Sequence, residues 1–224
     1  MAIILNINTA FETAFVSLSN NDDVINEAQS NSQKDHASFL EPAIRSICAQ
    51  SNLSLNNINA VAVTNGPGSY TGLRVGLSSA KALCYALKKP LILLNTLDVI
   101  AFALRQQSPV QQENLLFCPL IDARRMEVYT ALYDNNLRLV KEYSSEILDA
   151  SFLETERKTN IIVAGGSGSL KLQSLISDTS IIYINQLLLS KPASVLGYKA
   201  LIAEDFADVA YSEPFYLKPV YFRK

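Results

Sequence analysis

The sequence predicts an α/β protein of two lobes, each built on a mixed sheet with helices on its faces. Three observations lead there. The hydrophobic pattern alternates between a period of two and a period near 3.6 in the order β-β-β-α-β-α-β-α, and it does so twice. In each pass the first three strands follow closely, as in an antiparallel meander, whereas the later ones are separated by helices, as parallel strands must be. Finally, 49% of the 224 residues are hydrophobic and 18% charged, which excludes a disordered chain and supplies a core for one large domain or two lobes.

The elements follow in order. AIILNI (2–7) is an Ile-rich buried strand bounded by Asn and Thr, TAFVSLS (13–19) alternates as a second strand, and DVINEAQ (23–29) is a weaker third. From His36 to Gln50, Phe39, Leu40, Ala43, Ile44, Ile47 and Cys48 recur at helical spacing, with Asp35 placed to cap the helix. AVAVT (60–64) is a short buried strand. After GPGSYTG a helix runs over about 72–87, then comes the strand LILLN (91–95), and Thr96 stands where it would cap LDVIAFALRQQ, which ends before Pro109.

The second pass repeats that order. LLFCPLI (115–121) and EVYTALYD (127–134) make a hairpin around DARRM, with LRLVKEY (137–143) as a third strand. A short helix near 149–156 precedes the strand IIVAG (161–165). Gly165, Gly166 and Gly168 then lead into a helix over 170–176, followed by SIIYI (180–184) and a last helix over about 194–206 before the tail SEPFYLKPVYFRK. The duplication is one of order, not of residues. The architecture that suits it is the two-lobed, duplicated ribonuclease-H-like fold of actin and the sugar kinases (the ASKHA fold). No Pro-, Ser- or Gly-rich linker parts the halves. We place the join near 106–113, with lobes at 1–106 and 107–206 and the tail 207–224 returning to the first.

Charge narrows the function. With 19 Lys+Arg against 21 Asp+Glu the net charge is −2, so the chain cannot bind nucleic acid through bulk positive charge, and any RNA contact must be local or made by a partner. Cys48, Cys84 and Cys118 are too scattered for a disulfide framework or a zinc knuckle and read as buried thiols in a reducing cytoplasm. The N-terminus lacks a basic segment and no apolar run approaches ~18 residues, so neither a signal peptide nor a membrane span is expected.

GPGSYTGLRVG (66–76) is the most informative stretch. Gly66, Pro67 and Gly68 make a tight turn between a strand and a helix, a place where backbone N–H groups can hold an anion, although it is neither a Walker A loop nor GxGxxG. Inside the helix Gly72, Gly76 and Ala80 recur every four residues. Gly costs ~1 kcal/mol against Ala there, so close approach of another element is implied. That element is either internal, such as the helix from His36 or the sheet, or a helix of another chain, and spacing alone favours the internal one. His36 is the only histidine, which leaves Ser69 without a credible hydrolase arrangement and a zinc hydrolase very poorly supported. Asp122, Arg124, Arg125 and Glu127 crowd a hairpin tip and read equally well as a solvated turn or as a candidate recognition hairpin for a partner or phosphate. Asn8 sits just past the first strand, where an actin-like ATPase holds an acidic residue, and an amide is a poor substitute beside Mg²⁺. Glu12 nearby keeps phosphoryl transfer open.

GPGSYTGLR after AVAV, KDHAS opening a helix, DARRMEVY in a hairpin and EPFYLKP near the end together resemble the TsaB (YeaZ) family, over roughly 1–145 and 213–219. The resemblance implies an actin-like subunit that does no chemistry itself: it pairs with the catalytic TsaD subunit for threonylcarbamoyl transfer to adenosine in tRNA, and the ATPase TsaE joins the complex. ATP and metal would belong to those partners, leaving this chain at most weak nucleotide binding, only indirect contact with tRNA, and homodimerisation when alone. The catalytic relative holds metal through His-x-x-x-His, and the matching positions here are Thr96 and Ile100. The resemblance also implies that the two helices, through His36, Phe39, Leu40, Ala43, Ser69, Tyr70, Thr71, Gly72, Leu73, Gly76, Leu77 and Ala80, meet the same pair on the partner, so that Gly76→Arg would leave the fold intact and abolish association. Asn8 departs from the family's acidic residue. Met126 stands where a Gly is usual and would be strained at a positive φ. The alternatives are an M22 glycoprotease-like metalloenzyme and an actin-like small-molecule kinase using the glycine turns at 66–68 and 165–168.

Overall fold

The first strand, β1 (Ile3–Asn8), is buried along its whole length, as only the central strand of a sheet covered on both faces can be. The computed structural model describes residues 1–30 and 35–218, so Lys34 of KDHAS and the tail from Pro219 lie outside the described residues. β1 pairs antiparallel with β2 (Ala14–Asn20), Ile3 opposite Asn20, and β2 pairs antiparallel with β3 (Asp23–Ser30). On its other side β1 runs parallel to β4 (Ala60–Gly66), Ile4 beside Ala60, and β4 parallel to β5 (Leu91–Asn95), giving the order β3-β2-β1-β4-β5. Ile3, Leu5 and Ile7 of β1 join Val61 and Val63 of β4 in one core with Leu40, Ala43, Ile44 and Ile47 of α1 (His36–Gln50) and Leu77 and Ala80 of α2 (Tyr70–Leu87). Side chains alternate across a strand, so Ile4, Asn6, Ala60 and Ala62 face the opposite side.

The next helix, α3 (Thr96–Gln107), leads into the second sheet: β6 (Leu115–Asp122), β7 (Glu127–Tyr133), β8 (Leu139–Ile147), β9 (Ile161–Gly165) and β10 (Ile181–Ile184) in the order β8-β7-β6-β9-β10. The directions repeat those of the first sheet: β6 is antiparallel to β7 and parallel to β9. One face packs Leu116, Cys118, Leu120, Val128, Leu132, Ile162 and Ala164 against Leu153 and, through Leu172, against α5 (Ser169–Leu175); the short α4 (Glu154–Arg157) lies between. α3 is tied to this same sheet. Its Asp98 accepts hydrogen bonds from Tyr133 (2.5 Å) and Tyr143 (2.9 Å), and its Leu104 closes on Gly165 so tightly that a Cβ there would come within 2.7 Å. Burial and the Asp98 carboxylate push the Tyr133 hydroxyl far above its ordinary pKa, so it remains a donor.

The last helix, α6 (Ser190–Ile202), returns to the first sheet and covers the face left bare by α1 and α2: Asn6 Nδ2 donates to Ser194 Oγ at 3.2 Å, and Gly197 lies against Ala62 and Ile4. The tail follows it, with Ala207 N–H bonded to the Leu91 carbonyl and Phe215 N–H to that of Asn65. The described chain therefore divides into Met1–Thr96 with Leu189–Phe215, and Leu97–Leu188 with residues 216–218, rather than at a join near 106–113. Chain order groups each crossover helix at a boundary with the strands before it, whereas its contacts place α3 on the sheet after it and α6 back on the first. Two caps also differ. Asp35 makes no side-chain cap hydrogen bond, and the buried Thr96 hydroxyl has no partner. α6 starts four residues before the expected 194 because Pro192 sits in its first turn, where a missing N–H costs nothing. Among the described residues no helix is long and apolar enough to cross a membrane.

Candidate functional site

Residues 66–72 carry the strongest motif, and the chain fills it from within. Gly66 has φ +130° before a cis bond to Pro67, and a Cβ on Gly66 would overlap the Phe215 carbonyl. Ser69 N–H donates to the Ala10 carbonyl at 2.8 Å, and Ser69 Oγ caps α2 by accepting from Gly72 N–H at 3.2 Å. Thr9 Oγ1 in turn donates to the Gly72 carbonyl at 2.7 Å. Two N–H groups that could have faced an anion are thus consumed by the chain. The turn after β9 is built alike: Gly166, at φ +109°, abuts the Leu120 carbonyl, which accepts from Gly168 N–H at 2.9 Å. In both turns the chain's own oxygens thus take N–H groups that a bound phosphate would use.

The small-residue stripe faces inward. Gly72, Leu73, Gly76, Leu77 and Ala80 are all buried, and a Cβ on Gly72 or Gly76 would overlap Thr9 at the end of β1. The internal reading of this stripe describes it, and the expectation that it meets a partner's helix is corrected: the side chains of Leu73, Leu77 and Ala80, with Leu40 and Ala43 of α1, are spent on the chain's own core, and the two glycines make room for Thr9. Gly76→Arg would therefore break the fold rather than an interface. His36 is buried too, its Nε2 3.0 Å from the Glu12 carbonyl, so it ties the start of α1 to the β1–β2 connection. Phe39 is half-buried at the rim of the core. Tyr70 lies under the Arg74 guanidinium at 4.2 Å, a cation–π contact, and Thr71 is exposed.

What α2 presents outward is a second row of small residues that the sequence reading missed. Thr71, Ser78, Ala82 and Ala86 are exposed, with Tyr85 83% exposed at the far end. Beside it, α1, packed against α2, exposes Ala37, Ser38, Glu41, Pro42 and Arg45. Ser78, Ala82 and Ala86 have the same four-residue spacing as the buried row. What distinguishes the rows is company, since Leu73 and Leu77 flank the buried one and Arg74 and Tyr85 the exposed one.

At the β6–β7 turn the positive-φ residues are Arg124 (+73°) and Arg125 (+47°), not Met126, so Met126 is free of the strain considered for it. Left-handed backbone costs these two arginines ~1 kcal/mol each. The turn's carboxylates are engaged. Asp122 Oδ1 accepts from Arg124 N–H at 2.6 Å and from Lys171 Nζ at 2.7 Å, and Glu127 accepts from Ser145 Oγ at 2.8 Å and pairs with Lys218. The Lys218 and Ser145 hydrogen bonds hold Glu127 below the usual carboxylate range.

Among the described residues no three of His, Cys, Asp or Glu gather where a metal ion could be held. All three thiols are buried, and burial pushes Cys84 up to about 11 and Cys118 up to about 12, leaving them protonated. Asn8 keeps its Oδ1 on the Ala10 N–H at 3.0 Å while its buried amide nitrogen has no partner.

Comparison with known proteins joins these features to a family. Residues 24–217 match the family model of "TsaD: tRNA N6-adenosine threonylcarbamoyltransferase". The chain is 30% identical over 176 residues to the tRNA threonylcarbamoyladenosine biosynthesis protein TsaB of Bacillus subtilis, covering 77% of this chain and 74% of that one. Its fold superposes with a TM-score of 0.80 on a Pseudomonas aeruginosa protein described as similar to the peptidase YeaZ, at 21% identity and over 97% and 100% of the two chains. It also superposes at 0.52 on the inorganic polyphosphate/ATP-glucomannokinase of an Arthrobacter strain, at 13% identity and over 92% and 100%. These two likenesses speak to the fold, and they place both sheets in the duplicated actin-like architecture expected from the element order.

Proposed function

This chain belongs to the TsaB family of tRNA threonylcarbamoyladenosine biosynthesis proteins, and from that premise we propose that it is the accessory, non-catalytic subunit that pairs with a TsaD-type subunit for threonylcarbamoyl transfer to adenosine in tRNA. The observation that carries the pairing is the uncovered row Thr71, Ser78, Ala82 and Ala86 on α2, beside the exposed face of α1. Small side chains let a second helix pair approach closely, and two helices of 15 and 18 residues can supply the ~800 Å² per partner of a standard interface. The same surface serves a homodimer when the partner is absent. A non-catalytic role is supported by the buried protonated thiols, the single imidazole committed to a backbone carbonyl, and Thr96 and Ile100 at the positions of the catalytic relative's metal-binding histidines. ATP and metal then reside on the TsaD-type subunit and a TsaE-type ATPase, and three free buried cysteines suit a reducing cytoplasm.

The test is reconstitution. Co-expressed with the TsaD-type subunit of the same organism, the chain should co-purify with it. Transfer of labelled threonylcarbamoyl to a tRNA transcript should need both proteins and the ATPase. Transfer by this chain alone, or failure to co-purify, overturns the reading.

A further inference from the structure

Arg124 and Arg125 stand at the tip of the β6–β7 hairpin with left-handed backbones, exposed side chains and, among the described residues, no hydrogen bond or ion pair to either guanidinium. A purely structural turn with two positive-φ positions would favour Gly or Asn at both. Here the backbone is held against local preference to present two cations, and strain of this kind collects at functional positions. The neighbouring charges sharpen the point. The two carboxylates at the ends of the turn, Asp122 and Glu127, are each paired with a lysine from outside the hairpin, Lys171 on α5 and Lys218 in the tail. The turn's own carboxylates are thus paired with the two lysines and with neither guanidinium. Two planar forks side by side match successive phosphate groups. A small phosphorylated ligand wants a concave site, whereas Arg124 and Arg125 line neither the cavity under β8 nor the one beside the α3–β6 connection. A projecting turn suits a polymer backbone, which is contacted from outside.

We propose that Arg124 and Arg125 contact phosphodiester groups of the RNA on which the assembled complex acts. The proposal rests on the functional reading above. It makes RNA contact local and direct in a chain whose net charge is −2.

The experiment uses the complex of the full chain with its TsaD-type subunit and measures affinity for a tRNA transcript across a salt series. The double variant Arg124→Gly/Arg125→Gly relieves the backbone and should melt no lower than wild type, so weaker binding cannot be assigned to misfolding. It should bind about tenfold more weakly at low salt, with the slope of log affinity against log salt reduced by about 1.4–1.8, the loss of two phosphate contacts. Arg124→Lys/Arg125→Lys should keep most of the slope. An unchanged affinity and slope overturns the proposal. So does a glycine variant that loses the partner subunit, which would mark an acidic protein surface as the occupant, or one that loses only a nucleoside triphosphate. If the wild-type chain forms no complex at all, the functional reading fails first and takes this proposal with it.

Discussion

Gly76 shows how little room the α2–sheet contact leaves. Thr9 holds its hydroxyl on the Gly72 carbonyl, and any Cβ on Gly76 would overlap that hydroxyl. Alanine would gain ~1 kcal/mol of helix propensity but must displace a short, hydrogen-bonded side chain against backbone, an overpacking cost of ~1–3 kcal/mol. We expect Gly76→Ala to melt below wild type. Gly76→Arg, which also buries a charge, should lose ~4 kcal/mol or more and accumulate as insoluble protein. Soluble yield and urea midpoints of both variants check this, and an arginine variant that folds normally would contradict the inward assignment of the stripe.

At the scale of the helix, α2 carries two small-residue rows with opposite uses. Ala82 is exposed, so Ala82→Arg should move stability by no more than ~0.5 kcal/mol while abolishing co-purification with the TsaD-type subunit. Unchanged melting with unchanged association would remove α2 from the interface. The sequence made the elements legible because period is a local signal: the ten strands and α1, α2, α3, α5 and α6 fall where alternation and helical spacing put them, to within about four residues at their ends, while α4 is the single turn Glu154–Arg157 at the end of the expected 149–156. Facing is not local. Gly72, Gly76 and Ala80 share a spacing with Ser78, Ala82 and Ala86, and only the burial of Leu73 and Leu77 beside the first row tells them apart. Caps failed for a similar reason. Asp35 and Thr96 are residues of the right type whose side chains find no helix N–H to accept from. The strain at Arg124 and Arg125 is invisible in the sequence because nothing in two arginines announces a positive φ, and the family's usual glycine points to Met126 instead.

For the whole molecule, the exchange of helices decides what can fold alone. A fragment ending at residue 106 would keep β1–β5 and lose α6, uncovering Ile4, Asn6 and Ala62, which are 0–1% exposed in the intact chain. It would also keep α3 without the sheet holding Tyr133 and Tyr143. We expect that fragment to aggregate or to show a collapsed state without fixed tertiary packing by near-ultraviolet circular dichroism. A chain in which 189–215 is joined by a short linker after residue 96 should fold cooperatively. Equal cooperativity in the two would contradict the assignment of α6.

The late position of α6 also orders events on the ribosome. A chain emerging N-terminus first would have threaded out its opening sheet long before Ser190–Ile202 arrives to roof it, so one oily surface waits through most of synthesis. The stretch 97–188, contiguous and supplied with its own α3, α4 and α5, can settle meanwhile. The second half is then the natural first folder, and nascent chains stalled before residue 190 are where a holding chaperone would be found.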